Sequence, residues 1–217
     1  MPTVLPDIRS RLAAYQPKTF DPNGAPRAAV LVPLYTHREE LHVVFTKRTD
    51  LVQHHRGEIS FPGGAMDPGD ADLIATALRE AREEIGIDAG HIQVIGRLDD
   101  IVTISRFHVS VYVGELDAMF SPYPWQPQAS EVAAVLEVPL PHLLDEANLV
   151  EVPRQRDGEL VIMEGFKFED HIIWGATGRM LRNFLDVATD SDTLSMDRPG
   201  VVPQDASRNR PSEPAAS

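Results

Sequence analysis

Between Asp72 and Gly86 the chain reads DLIATALREAREEIG, and this stretch constrains the fold more than any other. Ile74, Ala77, Leu78, Ala81 and Ile85 recur with the helical period, so the spacing predicts a helix from about Asp72 to Ile85, closed by Gly86. Glu80, Glu83 and Glu84 then fall within about a third of its circumference, on a sector bordering the apolar stripe. Glu80 and Glu84 are spaced i,i+4, where like charges destabilise a helix, and the last turns of a helix favour cations. Something must offset these costs. Two readings of the residues stand. One is a solvated face laced with ion pairs, such as Arg79 with Glu83. The other is a site for hard divalent cations, which prefer clustered carboxylate oxygens.

The rest of the chain supplies a sheet for this helix to cover. Asp7 to Tyr15 reads as a short amphipathic helix capped by Asp7, with Ile8, Leu12 and Tyr15 on one face. AAVLVPLY and LHVVFTKR read as strands joined by the polar turn THREE. A glycine-rich loop, HHRGEISFPGGAMDPGDAD, precedes the acidic helix. IQVIGRLDDIVT and HVSVYVGEL are further strands, and SPYPWQPQ is a loop. EVAAVLEVPLPHLL reads as a strand and a short helix, GFKFEDHIIWG as extended chain, and WGATGRMLRNFLDVA as a final amphipathic helix. Strands interleaved with two substantial helices predict an α/β sandwich around a mixed sheet. Residues 1–27 form an N-terminal helix and connection, 28–189 the domain, and 190–217, which has no aromatic residue, an unstructured tail.

Composition narrows the function. A chain of 217 residues with 42% apolar content suits one domain. A formal net charge of -13 argues against binding nucleic acid or an anionic membrane, but a few local cations or metals allow a small phosphorylated substrate. The absence of cysteine excludes disulfides, thiolate metal sites and a cysteine nucleophile. The N-terminus lacks the apolar run of a signal peptide, and no segment suits a membrane span; the expectation is a soluble, cytoplasmic protein.

The loop and helix together, GGAMDPGDADLIATALREAREEIGI, resemble the Nudix box, G-x5-E-x7-R-E-U-x-E-E-x-G-U with U apolar. Arg79, Glu80, Ala81, Glu83, Glu84, Gly86 and Ile87 match the second half at every fixed position. The first half departs: counted from Gly64 the acidic position is Asp70, separated from Arg79 by eight residues rather than seven, and Asp72 is an alternative occupant. The resemblance implies a Nudix-type α/β/α sandwich around a mixed β-sheet. It also implies hydrolysis of a nucleoside diphosphate linked to another group. Glu80, Glu83 and Glu84 would hold Mg2+ or Mn2+, and Arg79 would orient a neighbouring carboxylate.

Upstream, TKRTDLVQHHRGEISFPGG resembles the motif preceding the box in coenzyme A pyrophosphatases, T-x-R-[SA]-x3-[RK]-x3-G-x3-F-P-G-G, through Thr46, Arg48, Gly57, Phe61, Pro62, Gly63 and Gly64. His55 is similar to many relatives, Thr49 replaces the usual Ser or Ala, and Gln53 stands where a cation is expected. The resemblance implies coenzyme A or a derivative as substrate, contacted by Arg48, with Arg56 behind it, His55, Gly63 and Gly64. ADP-ribose, NADH, dinucleoside polyphosphates, and a non-catalytic nucleotide-binding module remain alternatives. Water activation needs a base. Relatives carry a glutamate where Glu131 opens EVAAVLEVPL, and Glu83 is the competitor. The family also admits a homodimer.

Overall fold

The computed structural model describes residues 5–49, 57–156 and 159–189. Eight strands share one sheet: β1 (Arg27–His37), β2 (Glu40–Arg48), β3 (Ile59–Ser60), β4 (Gly63–Ala65), β5 (Ile92–Arg97), β6 (Ile101–Val102), β7 (His108–Leu116) and β8 (Val132–Pro139). The principal order is β3-β2-β1-β7-β5, with β4 beside β1, β6 beside β7 and β8 beside β2. β1 and β7 run parallel and the other pairs are antiparallel, so the sheet is mixed. β1 and β2 meet in a tighter turn than THREE suggested. His37 pairs with Glu40, leaving only Arg38 and Glu39 at the tip, both at positive φ, the backbone of a two-residue hairpin turn.

Alternation along the strands divides the core into two layers. Ala28, Val32, Leu34, Val43, Phe45, Val109, Val111 and Val113 face α1 (Leu5–Ala14) and α4 (Gly175–Thr189), packing with Ile8, Leu12, Leu181 and Phe184. Ala29, Leu31, Tyr35, Val44 and Tyr112 face α2 (Leu73–Ile85), packing with Leu73, Ala77, Ala81 and Ile85. The result is the expected α/β/α sandwich. Each fully buried Leu or Phe adds roughly 1.5–3 kcal/mol, so α2 is held chiefly by one stripe of apolar contacts.

Several sequence expectations need adjustment. Ile74 is 36% exposed, and Leu73 takes its place in the core. Asp7 lies within the first turn of α1 instead of capping it. The stretch IQVIGRLDDIVT is broken between β5 and β6, because Asp100 turns inward. Its carboxylate accepts from His108 Nε2 (3.0 Å), Ser110 Oγ (3.1 Å) and Arg97 Nη2 (2.6 Å). Its backbone N–H donates to Lys18 O, which pins the connection after α1. The sequence reading has no element at Leu149–Arg156, yet this segment is β9, which pairs with β10 (Glu159–Phe168), and β10 with β11 (His171–Ile173), in a second antiparallel sheet. Pro153 disguises β9, but an edge strand tolerates proline. A short helix α3 (Leu140–Leu144) follows β8 as expected. The expected tail lies outside the described residues, as do Gln53, His54, His55 and Arg56. Among the described residues, no helix is long and apolar enough to cross a membrane.

On α4, partial burial pushes the Asp186 carboxyl up to about 6, against the pull of Arg182 and with help from Glu164. The folded state therefore holds this proton more tightly than the unfolded chain. The stability it confers is complete below the ordinary Asp value near 4 and lost as pH rises through about 6. Asp186→Asn removes that loss. Its melting temperature should gain on the parent between about pH 4 and 6 and stay ahead above, by an equivalent of about 1 kcal/mol after allowing for solvent screening. A pH-independent difference would contradict this assignment.

Candidate active site

β4, which leads into the loop before α2, begins with two glycines under steric constraint. Gly64 pairs with Ala29, and a Cβ on it would lie 2.5 Å from Glu80 Oε1. A Cβ on Gly63 would collide with the backbone of Ala29 and Val30. Pro62 O accepts from Leu31 N at 2.9 Å, and Phe61 stacks on Phe45 with ring centroids 4.6 Å apart. This packing brings the backbone of Gly63 and Gly64 against the acidic face of α2.

The extra residue in the loop leads to two jobs for two aspartates. Asp72 caps α2, accepting from Ala75 N at 2.8 Å. Asp70 receives Arg79 bidentately, Nε to Oδ1 at 2.9 Å and Nη2 to Oδ2 at 3.0 Å, and also accepts from Thr76 Oγ1 at 2.9 Å. The guanidinium and these hydrogen bonds hold the Asp70 carboxyl well below its usual range. The Asp70 carboxylate in turn raises the Arg79 pKa. Arg79 also donates to Ala65 O (3.1 Å), Glu80 Oε1 (2.8 Å) and Glu83 Oε2 (3.1 Å). It ties the loop to the helix and fixes Glu80. The sequence had left Asp70 and Asp72 as alternatives; it carried no signal for the Thr76 and Ala65 contacts.

The three glutamates differ in environment. Glu83 is exposed, with Arg79 beside it. Glu80 lies at the boundary, and burial raises its pKa against the pull of Arg79. Glu84 is 4% exposed. Burial pushes its carboxyl up to about 8; Arg48 lowers it, Glu80 and Glu131 raise it, and a hydrogen bond from the Gly63 backbone lowers it. Glu131 also raises Glu80. The acidic sector of α2 and the residue before β8 therefore form one electrostatic cluster, with the Arg48 side chain beside it. Among the described residues, the buried Glu84 Oε2 and Arg48 Nε have no hydrogen-bond partner.

An ion must be tested against these residues. Among the described residues, no group of three Asp, Glu or His side chains forms a ready-made cage. The donor chemistry nevertheless fits a hard divalent cation: carboxylate oxygens, one of them buried and unpartnered, beside a glycine backbone that leaves room for Glu80. Such a group suits an open site completed by water and substrate oxygens. The geometry offers an anionic cluster, a nearby guanidinium for phosphate and a glutamate at a strand entrance for proton transfer.

Gly64→Ala tests the close approach. The added Cβ displaces the end of the flexible Glu80 side chain and leaves the backbone free to keep its course. Melting should move by no more than a few degrees, while kcat falls about tenfold or more. Full activity with Glu80 unmoved in a crystal structure of the variant would refute the contact.

A profile of the NUDIX domain family matches residues 25–155. NudL, an uncharacterized Nudix hydrolase of Yersinia pestis (strain Pestoides F), is 36% identical over 157 residues, covering 72% of this chain and 77% of the relative. Its counterpart in Yersinia pseudotuberculosis serotype O:1b (strain IP 31758) matches to the same extent. Among solved structures, a MutT/nudix family protein from Enterococcus faecalis superposes with a TM-score of 0.54 at 14% identity, covering 91% of this chain and 73% of that one, a likeness of fold. The profile spans the β-sheet and the acidic helix together, and the relatives match across most of both chains: the chain belongs to the Nudix hydrolases, a family of pyrophosphohydrolases.

Proposed function

We propose that this Nudix hydrolase cleaves the pyrophosphate bond of coenzyme A or an acyl-coenzyme A, releasing 3′,5′-ADP and the corresponding 4′-phosphopantetheine. The observation that carries the catalytic reading is the buried, unpartnered carboxylate oxygen of Glu84 within the cluster of Glu80 and Glu131. The substrate class is supported by the motif Thr46 to Gly64, whose Arg48, Gly63 and Gly64 lie beside that cluster. Within it, Arg48 has a buried Nε without a hydrogen-bond partner among the described residues, suited to a phosphate oxygen.

In this reading Glu80, Glu83 and Glu84 would hold Mg2+ or Mn2+, as Nudix hydrolases generally use divalent ions, and the ion would supply positive charge to offset that developing on the pyrophosphate oxygens. Arg79 keeps Glu80 oriented through the paired contacts with Asp70 and Glu80. The Gly63 and Gly64 backbone lines the approach of the diphosphate, and Arg48 neutralises part of its charge. Glu131 takes a proton from water as the water oxygen bonds to one phosphorus, and the bridging oxygen leaves with the other phosphate. Glu83, exposed and held by Arg79, is the weaker candidate for that base. His55 and Arg56 belong to the same substrate contact by resemblance. The setting is a soluble cytoplasmic enzyme with a small-molecule substrate, acting as a monomer or homodimer.

A second reading rests on one specific observation. Gln53 occupies a position where coenzyme A pyrophosphatases carry a cation, and coenzyme A brings an extra 3′-phosphate. Another nucleoside diphosphate compound, such as ADP-ribose, NADH or a dinucleoside polyphosphate, needs no such cation.

A panel of coenzyme A, acetyl-coenzyme A, ADP-ribose, NADH and diadenosine polyphosphates, each with Mg2+ and Mn2+, decides between them. The expectation is fastest turnover of a coenzyme A compound; turnover of ADP-ribose alone would overturn the substrate assignment and leave the family intact. Glu84→Gln should lower kcat by three orders of magnitude or so and leave the fold unchanged. Chelation should likewise abolish turnover, with recovery on adding the ion back; activity that persists in excess chelator would sink the metal role.

A further inference from the structure

The proline-rich loop before β8 contacts the C-terminal end of the acidic helix. Gln128 N donates to Glu84 O at 2.9 Å, and Gln126 N donates to Ile85 O at 3.1 Å. The loop amides thus take two of the carbonyls that a helix C-terminus leaves unpaired. The same Gln128 then accepts, through its carbonyl, from Glu131 N (2.9 Å) and Val132 N (2.8 Å). Glu131 O accepts from Thr49 N at 2.9 Å. The backbone of Glu131 is therefore held on both sides, by the residue that grips Glu84 and by the end of β2.

The loop is itself anchored away from the acidic cluster. Trp125 Nε1 donates to Glu137 Oε1 at 2.5 Å, and its ring packs against Tyr35 and Tyr123, with centroids 5.6 Å and 4.6 Å away. Tyr123 N donates to Tyr35 Oη at 2.7 Å, and Tyr123 Oη accepts from Asp88 N at 3.0 Å, just beyond the helix end. A Cβ on Gly86 would lie 2.8 Å from the Gln126 side chain, so loop and helix end are in close contact.

We infer that the segment Tyr123–Gln128 is a positioning clamp: Trp125 fixes the loop, and the Gln126 and Gln128 amides fix the loop to α2, which sets the distance between Glu131 and the Glu80–Glu84 pair. The inference rests on Glu131 acting as the base. Trp125 and Gln128 act through the placement of Glu131 and α2, so they are positioning residues. A base held by its own backbone and by the helix that carries its electrostatic partners loses little freedom as the reaction begins.

The test is a double-mutant cycle, followed as kcat and KM on coenzyme A with Mn2+, or on ADP-ribose should coenzyme A not be turned over. Gln128→Pro removes the amide that grips Glu84, and Gln128→Ala keeps it. Trp125→Phe keeps an aromatic ring and loses the N–H to Glu137. Gln128→Ala should match the parent, whereas Gln128→Pro and Trp125→Phe should lower kcat about tenfold or more with KM changed less than threefold. In a Glu131→Gln background, the same two changes should lower the residual rate by no more than about twofold, because the residue they position has lost its role. Losses that multiply in that background would overturn the clamp, as would unchanged kcat in both clamp variants. A Glu131→Gln enzyme with parental turnover would instead overturn the base assignment, and the clamp with it. Trp125→Phe keeps the backbone hydrogen bonds, so the cycle remains readable should Gln128→Pro not fold.

Discussion

The burial of the Glu84 carboxylate, with Glu80 and Glu131 as electrostatic neighbours, is the interaction on which the rest of the structure depends. Desolvation and like charge both oppose ionisation there, and the carboxyl is held near 8. The two cations nearest the cluster leave that opposition standing. Arg79 is divided among Asp70, Glu80, Glu83 and a backbone carbonyl, and Arg48 keeps a buried Nε without a partner among the described residues. A core built for stability alone would be better served by an apolar side chain at this position. The cost makes sense at a site that binds positive charge during its work.

Rigidity around the cluster comes from opposite ends of α2. At its start, Asp72 caps the backbone and Asp70 locks Arg79, so the added residue in the loop is absorbed by separating two functions that one acid could not serve together. Along its length, the stripe of Leu73, Ala77, Ala81 and Ile85 fixes the rotation of the helix on the sheet. Rotation decides which glutamate is buried: Glu84 follows Ala81 and Ile85 inward, while Glu83 turns out to solvent. Gly64 then sets how near the sheet backbone comes to Glu80.

Much of this was legible in sequence because it depends on short-range regularities. The helical period from Leu73 to Ile85, the stop at Gly86 and the strand alternation of HVSVYVGEL each arise within one element, and the structure reproduces them. The departures arise where a residue answers to distant partners. Asp100 breaks a strand to meet His108, Ser110 and Arg97, and nothing local in LDDIVT announces that. Ile74 fits the helical stripe as well as Leu73 does, but only the position of the sheet selects between them. Pro153 is a poor strand residue in isolation and an acceptable one on an edge. At the site, the family pattern pointed to the acidic helix, yet the division of labour between Asp70 and Asp72, and the grip of the Gln126 and Gln128 amides, needed three dimensions.

That grip also bears on why a helix can end in carboxylates at all. The unfavourable end of a helix dipole is the partial negative charge of its unpaired terminal carbonyls, acting over about one turn. In α2, Gly86 N binds Arg82 O, Ile87 N binds Ala81 O, Gln126 N binds Ile85 O and Gln128 N binds Glu84 O. Four carbonyls of the last turns therefore face amide protons, and two of those protons come from another segment of chain. Gly86 adopts the left-handed conformation, φ 75°, that lets the chain turn back across the helix end, and the lack of a Cβ admits Gln126 alongside. Pairing the carbonyls removes one source of repulsion on Glu84 and leaves burial, then the neighbouring carboxylates of Glu80 and Glu131, opposed to its charge. A cation placed among these oxygens would offset both. The loop thus prepares the helix end electrostatically through Gln128, whose amide binds Glu84 O while its carbonyl accepts from Glu131 N.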